Sequence, residues 1–151
     1  MHYTIASVSW AKEYAALQHI RKCVFIDEQQ VPQSDEWDGK DESATHFLVT
    51  NDNGEAVGCA RLLNEIYHGE QVFHIGRVAI LAAYRQQNIG RDLMNAVINY
   101  CKQLSAQNRI YLHAQITRQR FYEHLDFVAC AMSLWMLVYR ILKCGINNLV
   151  R

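Results

Sequence analysis

The chain is short of the features that mark special environments. One proline and seven glycines in 151 residues leave no Pro/Gly-rich linker, and no repeat or low-complexity tract divides it, so one domain over 1–151 is expected. Net charge is absent: fifteen Lys and Arg balance fifteen Asp and Glu, which gives no long-range field toward nucleic acid or a membrane surface. No apolar run approaches the ~20 residues that cross a bilayer. The start, "MHYTIASVSWAKEY", has no basic stretch followed by an apolar block. Cysteine is sparse and odd in number (Cys23, Cys59, Cys101, Cys130, Cys144), never as C-x-x-C. That pattern reads as reduced thiols, mostly core filler, in a cytoplasmic protein, and is too scattered for zinc; no metal is expected.

Apolar residues make up half of the chain, enough for a real core. "HYTIASV" alternates as an opening strand. "AKEYAALQHIRKCVFIDEQ" carries Tyr14, Leu17, Ile20, Val24 and Phe25 at helical spacing. "VPQSDEWDGKDES" holds the only proline among acids and reads as a loop. "THFLVTN" and "EAVGCARLL" form a hairpin through "DNG", and "QVFHIGRVAI" is a further strand. "GRDLMNAVINYCKQLS" is an amphipathic helix with Leu93, Val97, Cys101 and Leu104 on one face. "RIYLHAQ" is a strand and "RQRFYEHL" a short helix. The order predicts an α/β (α+β) domain: a mixed sheet with helices on its faces.

Between a strand and the long helix lies Arg85-Gln86-Gln87-Asn88-Ile89-Gly90. A helix start is a natural anion site, because its first amides lack intrahelical partners and the dipole favours negative charge. Gly90 permits close approach, and Arg85 and Arg91 add charge. Asn88 stands where positive φ is expected, and asparagine tolerates it better than most residues. By itself the hexapeptide fits either a phosphate cradle or an ordinary helix start with solvated arginines.

The hexapeptide resembles the R/Q-x-x-G-x-G/A cofactor loop of the GNAT superfamily of N-acetyltransferases, with Asn88 in place of the first glycine. "HIGRVAI" looks like that superfamily's fourth strand, and "FYEHLDFV" is similar to its F-Y-x-x-x-G-F segment, with Asp126 in place of glycine. The front half resembles the ElaA-type subfamily: R-x-x-V-F-x-x-E-Q-x-V-P, then E-x-D-x-x-D and a histidine. Its letters are Arg21, Val24, Phe25, Glu28, Gln29, Val31, Pro32, Glu36, Asp38, Asp41 and His46.

The resemblance implies a mostly antiparallel central sheet whose fourth and fifth strands splay, and acetyl transfer from acetyl-CoA to an amine of unstated identity. Val78, Ala79 and Ile80 would bind the pantetheine arm, and a main-chain N–H there would stabilise developing negative charge. The pyrophosphate would lie on the amides from Gln86 through Gln87, Asn88, Ile89 and Gly90 to Arg91. Gln115 would reach the pantetheine or the substrate. Tyr122 matches the family's general acid, its phenol being protonated at neutral pH; the alternative is a core aromatic with a surface hydroxyl. Candidate bases are His74 and Glu36, with Asp38, Asp41, His46 and His113. Trp37 and the acids would otherwise attract a cationic amine. Arg21 and Arg77, flanked by apolar residues, are expected to pair with these acids.

The stretch "CAMSLWMLVYRILKCGINNLVR" breaks the family pattern, which ends in E-F-x-x-x-G-I-P-H in ElaA-type members. One permitted codon choice for residues 131–145, read two bases later, spells an ending of that type. A one-base frameshift near Cys130 is the inferred cause, and sequencing the source DNA tests it. A strand through about Tyr139 would still cover the sheet, and the rest of this apolar tail would favour a homodimer. Two other readings stand beside the acetyltransferase. One is an enzyme like the acyl-homoserine-lactone synthases, whose front end is similar to Arg21–Asp41; the other is a non-catalytic CoA-binding module.

Overall fold

The computed structural model describes residues 1–129 and 136–139. Strands β1 (Tyr3–Val8), β2 (Thr45–Asn51), β3 (Ala56–Tyr67), β4 (Glu70–Ile80), β5 (Arg109–His113), β6 (Phe127–Ala129) and β7 (Met136–Tyr139) form one sheet in the order β1-β2-β3-β4-β5-β7-β6. Every neighbouring pair is antiparallel except β4 and β5, which run parallel. The mixed, mostly antiparallel sheet is the one expected.

Two helices cover opposite faces. Helix α3 (Ile89–Leu104) lays Leu93, Met94, Val97 and Cys101 on Phe47, Leu62, Phe73, Ile75 and Leu112. Each fully buried aliphatic chain there is worth roughly 1.5–3 kcal/mol. Leu104, expected on the same stripe, is 55% exposed in the last turn. Helix α1 (Trp10–Arg21) packs Leu17 and Ile20, with Val24, on Leu48, Cys59 and Ala79 of the other face. Its first turn breaks at Glu13 (φ −120°), and Tyr14 is left exposed rather than in the stripe. Past Arg21 the chain continues as a π-helical segment, Lys22–Glu28, then the short α2 (Gln33–Glu36). The wider π turn is a common device near functional sites.

β3 and β4 are longer than their sequence patterns suggest. They meet at a two-residue turn, His68 and Gly69, both at positive φ (49° and 79°), which suits a tight hairpin. At the other end of this pair, a Cβ on Gly58 would meet Ile80 Cδ1 at 2.5 Å and the Ala79 carbonyl at 3.1 Å, so a side chain there would displace the Ile80 side chain and crowd the backbone of β4.

Cys59 and Cys101 are buried, and burial pushes both thiols up to about 12, which makes them inert packing groups. In the tail, Leu137 and Tyr139 are buried on the α3 side, and β7 inserts between β5 and β6 as a strand ending at Tyr139. Cys130, Cys144, Leu134, Trp135, Ile141 and Leu142 lie outside the described residues.

Candidate active site

The cleft starts where two strands part. β4 and β5 pair only from Val72–Arg109 to Ile75–Leu112, while β4 runs on to Ile80. On its other edge, Gly76 opposes Arg61 and Ala79 opposes Cys59, so Arg77 and Val78 together face the single Ala60. This is a β-bulge, and Arg77 sits in the left-handed region (φ 53°). Beyond Ile75 the β5-facing edge of β4 has no strand partner among the described residues. Val78, Ala79 and Ile80 lie along that open stretch.

From Ile80 the chain turns through Ala82–Tyr84 into the expected loop and then α3. Gln86 (φ 63°) and Asn88 (φ 62°) are both left-handed, of which the sequence pattern predicts only Asn88. A backbone alternating into this region can turn successive N–H groups toward one point, a shape that binds anions. Asn88 is the N-cap; its carbonyl accepts from the Asp92 N–H at 3.0 Å, and its side chain makes no capping hydrogen bond. The amides of Ile89, Gly90 and Arg91 thus open the helix without intrahelical partners. A Cβ on Gly90 would meet only Phe121, at 3.5 Å, and Ile80 Cγ1, at 3.9 Å. These features fit a diphosphate.

The side chains of the loop are otherwise engaged. Arg85 does not stand free as a counter-charge: its Nε donates to the Ile80 carbonyl at 2.9 Å and its Nη2 lies 2.7 Å from Glu28 Oε2. It ties the loop to β4 and to the π-helical segment. Gln87 Oε1 accepts from the Tyr3 hydroxyl at 2.6 Å. Arg91 is exposed, its Nε 3.6 Å from Asp92 Oδ1. Gln115, just past β5, donates from Nε2 to Gln29 Oε1 at 2.9 Å.

Tyr122 lies on α4 (Gln119–Glu123), half-buried, edge-on to Phe121 and Phe127 with ring centroids 5.0 and 6.0 Å away. Burial pushes its phenol up to about 12, so it keeps its proton through the neutral range.

The acidic loop folds into an ion network. Buried Arg21 donates from Nε to Glu36 Oε1 and from Nη1 to Asp41 Oδ1, both at 2.6 Å, and from Nη2 to the Glu36 carbonyl at 3.0 Å. Its guanidinium lies 4.9 Å from the Trp37 ring and 5.7 Å from Trp10. Arg61 spans Asp38 and Asp41, and Arg77 reaches Glu36, Asp38 and the Asp35 carbonyl. His46 is buried with Nε2 2.8 Å from the Asp41 carbonyl, and burial holds its imidazole below its ordinary value. The pairing expected of Arg21 and Arg77 is present. Glu36 is thereby a buried partner of two guanidiniums rather than a free carboxylate, which disfavours its candidacy as base.

His74 has different company. It is paired with Leu63 on β3 and Tyr111 on β5, one residue before β4 and β5 part. Its ring stacks on Tyr111 (centroids 4.4 Å, 13°) with His113 edge-on at 5.3 Å. Glu65 Oε1 lies 3.1 Å from its Nδ1, and Glu65 Oε2 accepts from the Tyr111 hydroxyl. Glu65 and Tyr111 are absent from the residues expected from sequence. The signal that could have found Glu65 is the hairpin turn, since its register sets Glu65 diagonal to His74.

The model of the acetyltransferase (GNAT) family matches residues 12–127. The chain belongs to the GNAT family of acetyltransferases. It is 34% identical to protein ElaA of Escherichia coli K12 over 129 residues, 85% of this chain and 81% of that protein. The crystal structure of an acyl-CoA N-acyltransferase from Pseudomonas aeruginosa superposes with a TM-score of 0.80 at 29% identity, covering 92% of this chain and all of that one. A Brucella melitensis GNAT acetyltransferase in complex with acetyl-CoA shares the fold alone: TM-score 0.76, 15% identity, 94% of this chain and 90% of that one. No helix among the described residues is long and apolar enough to cross a membrane.

Within the GNAT pattern, both departures fall on left-handed backbone. Asn88 (φ 62°) and Asp126 (φ 70°) occupy the two glycine places, and Asn and Asp are the side chains that tolerate this region best. Asn88→Gly is expected to leave the fold intact and to change stability by no more than about 1 kcal/mol, relief of strain being offset by a more flexible unfolded chain. Asn88→Val should cost about 1–2 kcal/mol by urea unfolding and weaken acetyl-CoA binding in parallel. Equal stability of the two variants would show that this backbone is not held left-handed.

Proposed function

We propose that the protein transfers the acetyl group of acetyl-CoA to a primary amine by direct attack within a ternary complex. What supports this reading is one juxtaposition: the open edge of β4 leads within a few residues into uncapped α3 amides behind two left-handed residues. An extended arm fits the first and a diphosphate the second. Acetyl-CoA supplies an activated thioester carbonyl. Val78, Ala79 and Ile80 hold the arm through main-chain hydrogen bonds, and an N–H at the bulge meets the acetyl oxygen as charge develops on it. The amides of Gln86–Arg91 hold the pyrophosphate; Arg85 keeps this loop against β4, and Gln115 borders the cleft. His74 takes the proton of the incoming ammonium, and Tyr122 returns a proton to the departing thiolate. Glu36 serves the fold of the acceptor side rather than proton transfer. A single domain, a cytoplasmic location and homodimerisation through the apolar tail complete the reading.

The test is calorimetry with acetyl-CoA followed by thiol release over a panel of amino acids, polyamines, aminoglycosides, sugar amines and lysine peptides. Acetyl-CoA binding with amine-dependent thiol release is expected. Binding without turnover on any amine would leave the non-catalytic module. Turnover with acyl carrier protein but not acetyl-CoA would move the reaction to the homoserine-lactone-synthase type.

A further inference from the structure

A histidine base can accept a proton at only one of its two ring nitrogens, and its neighbours choose which. We propose that Glu65 is the positioning residue for His74, holding the ring in the tautomer that leaves Nε2 free to accept the amine's proton. The inference rests on the acetyltransferase reading, but its geometry stands apart from activity.

Glu65 is partly buried on β3, and both of its oxygens are engaged from the other two strands: Oε1 by His74 Nδ1 on β4, Oε2 by the Tyr111 hydroxyl on β5. An ionised carboxylate only accepts, so the contact at 3.1 Å requires His74 Nδ1 to carry the hydrogen. In the neutral ring Nε2 is then the lone-pair nitrogen. Burial pushes the Glu65 carboxyl up, but the hydrogen bonds from Tyr111 and His74 outweigh it and hold it below its ordinary value, which keeps it an acceptor. The same hydroxyl bond anchors Glu65, and the stacked Tyr111 ring leaves the imidazole little freedom to rotate. His74 keeps 19% side-chain exposure, so the ring is held yet reachable.

The groups facing His74 are Glu65 and Arg61 from β3, and Tyr111 and His113 from β5, with Lys40 Nζ 3.9 Å from Glu65 Oε1. Burial lowers the imidazole's proton affinity, and Glu65 only partly offsets this. The neutral ring is the working form, so kcat/KM should rise as pH climbs through the His74 pKa. Removing the Glu65 charge removes stabilisation of the imidazolium and moves that rise to lower pH.

Nitrogen-15 NMR of histidine-labelled protein, with His74 assigned by its loss in His74→Gln, reads the tautomer directly. Protonated Nδ1 and unprotonated Nε2 are expected near pH 7.5; the opposite tautomer would overturn the proposal. In Glu65→Gln the His74 titration should fall by about one pH unit. Its kcat should drop about tenfold, with the acid limb of kcat/KM moving in step. Tyr111→Phe removes a donor from Glu65 and leaves its carboxylate more basic, so the His74 titration should move the opposite way, upward, and by less. A His74 titration unchanged in Glu65→Gln would overturn the assignment. If Glu65→Gln does not fold, the wild-type tautomer decides alone. Where no amine is acetylated by the wild type, the acetyltransferase reading fails, and the tautomer and titration still decide whether Glu65 positions the ring.

Discussion

Tyr122→Phe is expected to lower kcat about a hundredfold, the lower end of what a positioned general acid contributes. The acetyl-CoA dissociation constant should stay within twofold of wild type, about 0.4 kcal/mol. The substitution isolates one atom. The ring stays edge-on to Phe121 and Phe127, so the packing of α4 against the sheet survives and unfolding should shift little. Only the hydroxyl is lost. Because burial pushes that phenol up to about 12, it is an acid through the whole neutral range, and wild-type kcat should show no fall on the basic side until far above pH 9. If the variant turns over as fast as wild type, Tyr122 is a core aromatic and the thiolate takes its proton elsewhere.

Arg21→Ala should cost about 3–5 kcal/mol, a large share of the 5–15 kcal/mol that holds a domain of this size together. Arg21 is 1% exposed and donates to Glu36, Asp41 and the Glu36 carbonyl. Truncation takes one of two guanidiniums from each of two buried carboxylates, leaving Glu36 to Arg77 alone and Asp41 to Arg61 alone, and empties the slot between Trp10 and Trp37. Arg21→Lys should rescue less than half of the loss, since one ammonium cannot reproduce three donors in a planar fork. Urea unfolding at pH 7 measures both, and a loss under about 1 kcal/mol in the alanine variant would show that the network contributes little to stability.

The same network sets the acid limit. A hydrogen bond from Arg61, working against burial, holds the Asp38 carboxyl well below the usual carboxylate range. A group depressed in the folded state stabilises above its unfolded pKa, ordinarily about 3.9 for Asp, and that contribution fades as pH falls below it. Stability should therefore decline with acid from about pH 4 downward, and Arg61→Gln should flatten the decline as well as lower the plateau.

Much of the fold is legible in local patterns. Alternation in "HYTIASV" and the stripe Leu93-Val97-Cys101 mark β1 and α3 because pleat and helix pitch repeat within a few residues. Asn88 flags its own left-handed backbone, since that preference is a property of the single residue. Gln86 does not, because nothing in a glutamine side chain favours positive φ. Arg85 has the look of a ligand for phosphate; its partners Glu28 and Ile80 come from elsewhere in the chain, so the loop's own residues could not assign it.

The amino-acid order by itself determined the succession of strands and helices and a loop able to turn left-handed before a helix, which follow from short-range sterics and periodicity, while the family was legible only through the likeness of its motifs to those of known proteins. Tertiary structure alone decided which charged groups are used up and which stay available. Glu36 and Glu65 are the same residue type. One is closed between Arg21 and Arg77, while the other meets His74 and Tyr111 across three strands. That difference arises from sheet register and from where a distant loop docks, and a carboxylate's chemistry follows the charges brought within a few ångströms of it.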